Sequence, residues 1–273
     1  MWFEMRYYST YFFANALNNI VHGSINYQEK LEPFLDGELF CYKYSKNSAL
    51  HRFIEYCFDI ILHETIHQEL EDIITRHSYI LWIDNALLYH NIENSGIDQW
   101  LVDKGKAKVT LNEDDIVEYY EYLESIGVMS KLKEIIVEEV FYILFLNREF
   151  LMKFNQLISD YQKMKEWDDI EINNRDLYIR PGYLQRVTPP GWVKKAVFFR
   201  DRGVCVVCGT DLSNISRILE DREIHYDHIV PLEDGGINDI SNMQLTCQPH
   251  NHEKGTGAYT SNRYQKWFER GKE

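Results

Sequence analysis

Cys205-Val206-Val207-Cys208-Gly209, His225-Tyr226-Asp227-His228-Ile229-Val230-Pro231 and Cys247-Gln248-Pro249-His250-Asn251-His252-Glu253-Lys254-Gly255 follow one another within about fifty residues near the C-terminal end of the chain. Cysteines and histidines in pairs separated by two residues have the spacing from which tetrahedral zinc is bound, and Cys205, Cys208, Cys247 and His250 make up an accepted Cys3His set. Gly209 permits the tight turn that lets backbone amides approach the two thiolates. A single CxxC carries little information, whereas two matched pairs carry much, and a purely structural zinc ribbon is the plainest outcome. Between the pairs, Asp227-His228 offers an oxygen donor for a second, harder cation beside an imidazole suited to general-base work.

The order of the pieces is more specific than any one of them. A basic segment from Trp192 to Arg202, reading as a short amphipathic helix, runs into the CxxC turn; the Asp-His-Ile-x-Pro strand follows, then the Glu233-Asp234-Gly235-Gly236 loop, Asn242, and Cys-x-x-His-Asn-x-x-Lys-Gly. The run from Trp192 to Gly255 resembles the HNH endonuclease family, also called the ββα-metal or His-Me finger nucleases, in its zinc-bound subtype. The resemblance covers the C-terminal third and says nothing about Met1 to Asn174. It implies a small zinc-stabilised ββα-metal domain that hydrolyses phosphodiesters with a divalent cation and leaves 5′-phosphate and 3′-hydroxyl ends.

On that resemblance His228 is the general base, since an imidazole titrating near neutrality can take a proton from water. Asp227, on the opposite strand face, reaches the catalytic cation, and Asn251 is its second ligand; a carboxylate with an amide oxygen suits Mg²⁺ or Mn²⁺. Asn242 ties the loop to the backbone near His228, and Lys254 touches phosphate as a point charge. His250 stands where the fourth zinc cysteine is usual, and Asn251 where many members have a third histidine; both variants occur in the family. Taken singly, Asn242 reads as a turn residue or helix cap and Lys254 as a helix end. His225 shares the strand face of Asp227 and is left without a role, and His252 is one position out of phase on its helix.

Working outward, the charge is uneven. Residues 1–174 hold 15 Lys and Arg against 30 Asp and Glu, a balance of −15, while residues 175–273 hold 14 against 13, a balance of +1; together they give the net −14. The stretch from Arg175 to Arg202 alone has seven basic residues against two acidic ones, so only this part suits a polyanion. The front half repels nucleic acid over a Debye length of roughly 8 Å and reads as a regulatory, partner-binding or homo-oligomerising module. It also reads as all-α, because apolar residues recur at three-and-four spacing and Pro33 is the only proline before Pro181. One helix is expected from Asn47-Ser48 toward Leu88 with a break near residues 75–78, one from Asn112 to a stop at Gly127, and a last from about Lys131 to Lys165. Cys41 and Cys57 read as small buried apolar side chains.

The chain is therefore expected to be α+β overall: an acidic helical domain over residues 1–175, a basic Pro/Gly-rich linker over 176–191, and an HNH domain over 192–273. The longest apolar run, Val140 to Leu146, is far short of the roughly 20 residues of a membrane helix, and no secretory leader is evident, so a cytoplasmic protein is expected. Its expected partner is DNA, with RNA as an alternative. No base-reading motif is visible, so cleavage is expected to be nearly non-specific and restrained by the acidic domain, as in bacterial defence or toxin systems. A zinc-dependent nucleic-acid-binding module without catalysis is the second reading. A third comes from His63-Glu64-Thr65-Ile66-His67, which fits the HExxH of zinc peptidases but lacks an evident third ligand.

Overall fold

The computed structural model describes residues 8–37, 40–76, 81–106, 112–213 and 224–261, with the backbone alone for residues 8 and 65–76. It is mostly helical, with two small sheets toward the C-terminus. Helices α1 (Tyr8–His22), α2 (Gln28–Leu35), α3 (Ala49–Arg76), α4 (Trp82–Tyr89), α5 (Gly96–Asp103), α6 (Glu113–Ser125), α7 (Val128–Leu146) and α8 (Arg148–Met164) are followed by strands β1 (Tyr178–Arg180) and β2 (Tyr183–Leu184). Helix α9 (Gly191–Arg200), strands β3 (Ile224–His228) and β4 (Met243–Cys247) and helix α10 (Gln248–Lys254) complete the described elements. None of the described helices is long and apolar enough to cross a membrane.

The chain forms two compact units, each discontinuous in sequence: Met1–Leu17 with Phe53–Phe141, and Asn18–Arg52 with Tyr142–Glu273. In the first, Phe13 stacks on Phe58 at 4.9 Å and meets Trp82 edge-on, so aromatic burial supplies much of the core. Cys57 is fully buried there, and burial pushes its thiol well above the ordinary range. Helix α6 starts where expected, because the Asn112 side chain accepts from the Asp115 amide while the Asp115 carboxylate accepts from the Asn112 amide. Gly127, at φ 75°, lies just past its end. His63 and Glu64 are exposed on α3, and the side chain of His67 lies outside the described residues.

The second unit contains the whole metal-rich segment together with two stretches of the front half. Where one helix from Lys131 to Lys165 is expected, the structure has two. Asn147 leaves helical geometry and its side chain caps α8 by accepting from the Phe150 amide. That helix then packs along the C-terminal segment: the Asn155 side-chain amide donates to the Ser241 carbonyl at 3.1 Å, and the Ser159 hydroxyl to the Asp234 carbonyl. Arg148 and Asp201, both wholly buried, pair at 3.1 Å. Arg200 forks onto both oxygens of Asp201, whose Oδ2 also accepts from the Leu245 amide of β4. Breaking such a buried cluster is costly because it strands a charge. Residues 178–184, inside the expected linker, form the β1–β2 hairpin around Pro181-Gly182.

Candidate active site and metal centre

Strands β3 and β4 are antiparallel, with Asp227 opposite Gln244 and His228 opposite Met243, and α10 follows β4 without a loop. The long connection between the strands is held by close backbone approach: a Cβ on Gly236 would stand 2.0 Å from the Val230 carbonyl oxygen, so only glycine fits there. Asn242 closes the connection. Its Oδ1 accepts from the Val230 amide at 2.8 Å, and its Nδ2 donates to the carbonyls of Val230 and Ile237 at 2.9 and 3.0 Å. It is fully buried and brackets the backbone two residues beyond His228.

The four expected zinc ligands converge, their donor atoms all lying within 4.8 Å of one another. Cys247 Sγ stands 3.1 Å and Cys205 Sγ 3.8 Å from His250 Nδ1. A tetrahedral ion with Zn–S bonds of about 2.3 Å needs sulfur–sulfur separations of about 3.8 Å, so the donor set fits zinc in type and spacing. The CxxC turn is made by the Gly209 amide on the Cys205 carbonyl, at 2.8 Å, and the Cys205 amide on the Thr210 carbonyl, at 2.9 Å. Burial raises the Cys208 thiol, but hydrogen bonds from Thr210, Cys205 and Cys247 outweigh it and bring it down to about 7. Burial pushes the Cys247 thiol up to about 11, aided by the neighbouring Cys205 and Cys208 and opposed by the His250 amide. Three thiols crowded beside one imidazole thus share too few countercharges to ionise together. A divalent ion supplies that charge.

The residues of the second expected site are engaged with the protein itself. Asp227 Oδ2 accepts from the Gln244 amide at 2.9 Å and pairs with Lys254 Nζ at 3.0 Å. Lys254, expected to face phosphate, thereby keeps only 3% of its side chain exposed and also donates to the His228 carbonyl at 2.5 Å. Asn251 Nδ2 meets His225 Nδ1 at 3.1 Å, so the structure brings Asn251 to His225, on the strand face of Asp227. His252 faces the same histidine edge-on at 6.2 Å. The hard oxygens of Asp227 and Asn251, on adjoining elements, fit Mg²⁺ or Mn²⁺ in donor chemistry.

His228 is only 3% exposed. Burial above all, with the positive charges of Arg186 and Lys254, lowers its pKa to about 3; the Asn238 side chain offsets part of this. The ring is therefore neutral at ordinary pH. Its Nδ1 has no hydrogen-bond partner among the described residues, and its Nε2 faces the Tyr44 hydroxyl at 3.5 Å. Tyr44 and Gln244 could not be found from motif spacing, because neither belongs to a recurring pattern. Arg186, exposed and near His228, lies in the basic stretch from Arg175 to Arg202, where charge was the available signal.

Residues 205–257 match the family model described as HNH endonuclease, which places a nuclease-type domain in the C-terminal part of the chain. No curated protein and no solved structure shows a match to the chain.

Proposed function

We propose that the protein is a metal-dependent endonuclease that hydrolyses phosphodiester bonds in DNA, with its chemistry on β3 and α10. The observation that carries this reading is Asp227-His228 at the end of β3, with Asn242 bracketing the next turn and Asn251 facing the same hairpin from α10. In this reading His228 takes the proton from the attacking water. Its burial keeps the imidazole neutral but, at about 3, a weak base, so the role requires a ring brought into contact with water. Asn242 fixes the backbone from which His228 projects, and Cys205, Cys208, Cys247 and His250 hold structural zinc. Asp227 and Asn251 hold Mg²⁺ or Mn²⁺, which when bound supplies positive charge to the phosphate oxygens. Lys254, paired with Asp227 in this structure, would supply a point charge to the phosphate if that pair were given up. The acidic helical front half acts as a partner-binding or oligomerising module, in keeping with a cytoplasmic defence or toxin effector.

A second reading, a zinc-dependent nucleic-acid-binding module without catalysis, is favoured by one observation: Asp227 is already neutralised by Lys254. Plasmid nicking with Mg²⁺ or Mn²⁺ separates the two. His228→Ala should abolish nicking while zinc content and a cooperative unfolding transition persist, and undiminished nicking would sink the role of His228. DNA binding with no cutting, in the wild type and in variants that uncover His228, supports the second reading. A panel of duplex DNA, single-stranded DNA and RNA then identifies the substrate.

A further inference from the structure

The loop that precedes α3 places one front-half residue against the candidate base. From Tyr42 to Asn47 the only buried residue is Tyr44; its neighbours Tyr42, Lys43, Lys46 and Asn47 are exposed. Tyr44 is 5% exposed, and its hydroxyl stands 3.5 Å from His228 Nε2 and 3.4 Å from Met243 Sδ. The hydroxyl–imidazole distance is too long for a strong orienting bond, while the ring fills the space beside the imidazole. With Nδ1 buried and the whole residue only 3% exposed, His228 presents almost no surface to water in this arrangement. A base in this state cannot meet an attacking water until something moves.

The loop is the element suited to move. It has no helix or strand of its own between Cys41 and Ser48. Its contacts with the site include the Tyr44 amide on the Asn238 carbonyl, at 2.9 Å, the Tyr44 hydroxyl on Met243 Sδ, at 3.4 Å, and, just past its end, the Ala49 amide on Asp239 Oδ2, at 2.9 Å. Tyr44 itself sits at φ 53°, left-handed backbone that a bulky aromatic residue adopts at a cost. Such strain persists only where the surroundings enforce it, and here it is borne by the residue that covers His228. The other candidate elements around the ring, β4 and the Asn242-bracketed connection, are fixed by ladder and amide hydrogen bonds.

We infer that the Tyr42–Asn47 loop is an autoinhibitory latch, with Tyr44 as a plug that withholds His228 from water and phosphate until the loop withdraws. This rests on the nuclease reading for the reaction that is withheld, but the covering of His228 can be measured without it.

The test uses the full chain loaded with zinc. Tyr44→Gly and Tyr44→Asn both suit left-handed backbone and remove the plug, so one serves if the other fails to fold; Tyr44→Phe keeps the plug and loses the hydroxyl. Two quantities are read: the rate at which diethyl pyrocarbonate acylates His228, resolved by peptide mass spectrometry, and plasmid nicking with Mn²⁺. If the open form is a minor one of about 10% or less, uncovering the base raises both by at least about tenfold in the Gly and Asn variants. The Phe variant should remain as slow as the wild type in both. Equal acylation of His228 in the wild type and the Gly and Asn variants overturns the latch. So does faster acylation with slower nicking, or a loss of nicking in the Phe variant, since either makes Tyr44 a working part of the site. Faster acylation with no cutting by any of the proteins keeps the latch and discards the nuclease reading.

Discussion

The two ends of the β3–β4 hairpin form their sites in different ways. At the zinc end, four donors converge from two short turns, and every ligand lies within three residues of a partner in sequence. At the Asp227-His228 end, the expected side chains are each engaged with the protein: Asp227 by Lys254 and Gln244, Asn251 by His225, and His228 beside Tyr44 from far along the chain. A structural site gains from closure and from donors committed only to metal. On the proposed reading, the other end must exchange its internal partners for cation, water and phosphate, and its present contacts are hydrogen bonds and one ion pair between side chains.

The largest expected effect lies at the zinc end. A strong chelator, or Cys205→Ser, removes a binding free energy of order 10 kcal/mol that is also folding free energy. Amide exchange in β4 and α10 should rise to that of unfolded chain, and retention of native protection after verified zinc loss would break the comparison. A smaller effect is expected from Asn242→Ala, which strips partners from the Val230 amide and from the buried carbonyls of Val230 and Ile237. At about 1–3 kcal/mol for each group left unsatisfied, the denaturation midpoint should fall clearly while zinc content does not. A variant that keeps wild-type stability would show that Asn242 does not hold the catalytic end together.

The smallest effect concerns acid. Folded His228 gains its proton only near pH 3, whereas the unfolded chain gains it near the ordinary histidine value of about 6.5. Between these values the unfolded state holds the extra proton, so stability is full above pH 6.5 and declines as pH falls toward 3. The contribution has a slope of at most about 1.4 kcal/mol per pH unit. Melts of the wild type and of His228→Gln, compared from pH 7 to 4 without added divalent cation, should converge as the pH falls. Parallel curves would show that the ring is not buried in solution.

Much of the candidate site was legible because its chemistry is local. A CxxC turn, an Asp-His strand end and a Cys-x-x-His helix start each fix geometry over a few residues, and their order yields the hairpin and α10. The start of α6 was legible for the same reason, through Asn112 and Asp115. The break at Asn147 was missed because the apolar periodicity runs across it and only a side-chain cap marks it. The family resemblance implies Lys254 at phosphate; that it reaches back to Asp227 depends on how α10 lies on β3. Tyr44 carried no signal at all, being one tyrosine among 19.

The amino-acid sequence by itself determined the zinc set, the Asp227-His228 pair and the family resemblance of the C-terminal segment, because ligand spacing and strand alternation act over short distances along the chain. Only the tertiary structure decided that residues 18–52 and helix α8 belong to the same compact unit as that segment, that Arg148 and Asp201 pair within it, and that Tyr44 covers His228. Those facts depend on which distant residues share a buried volume, and burial is a property of the packed chain that no local pattern of residues specifies.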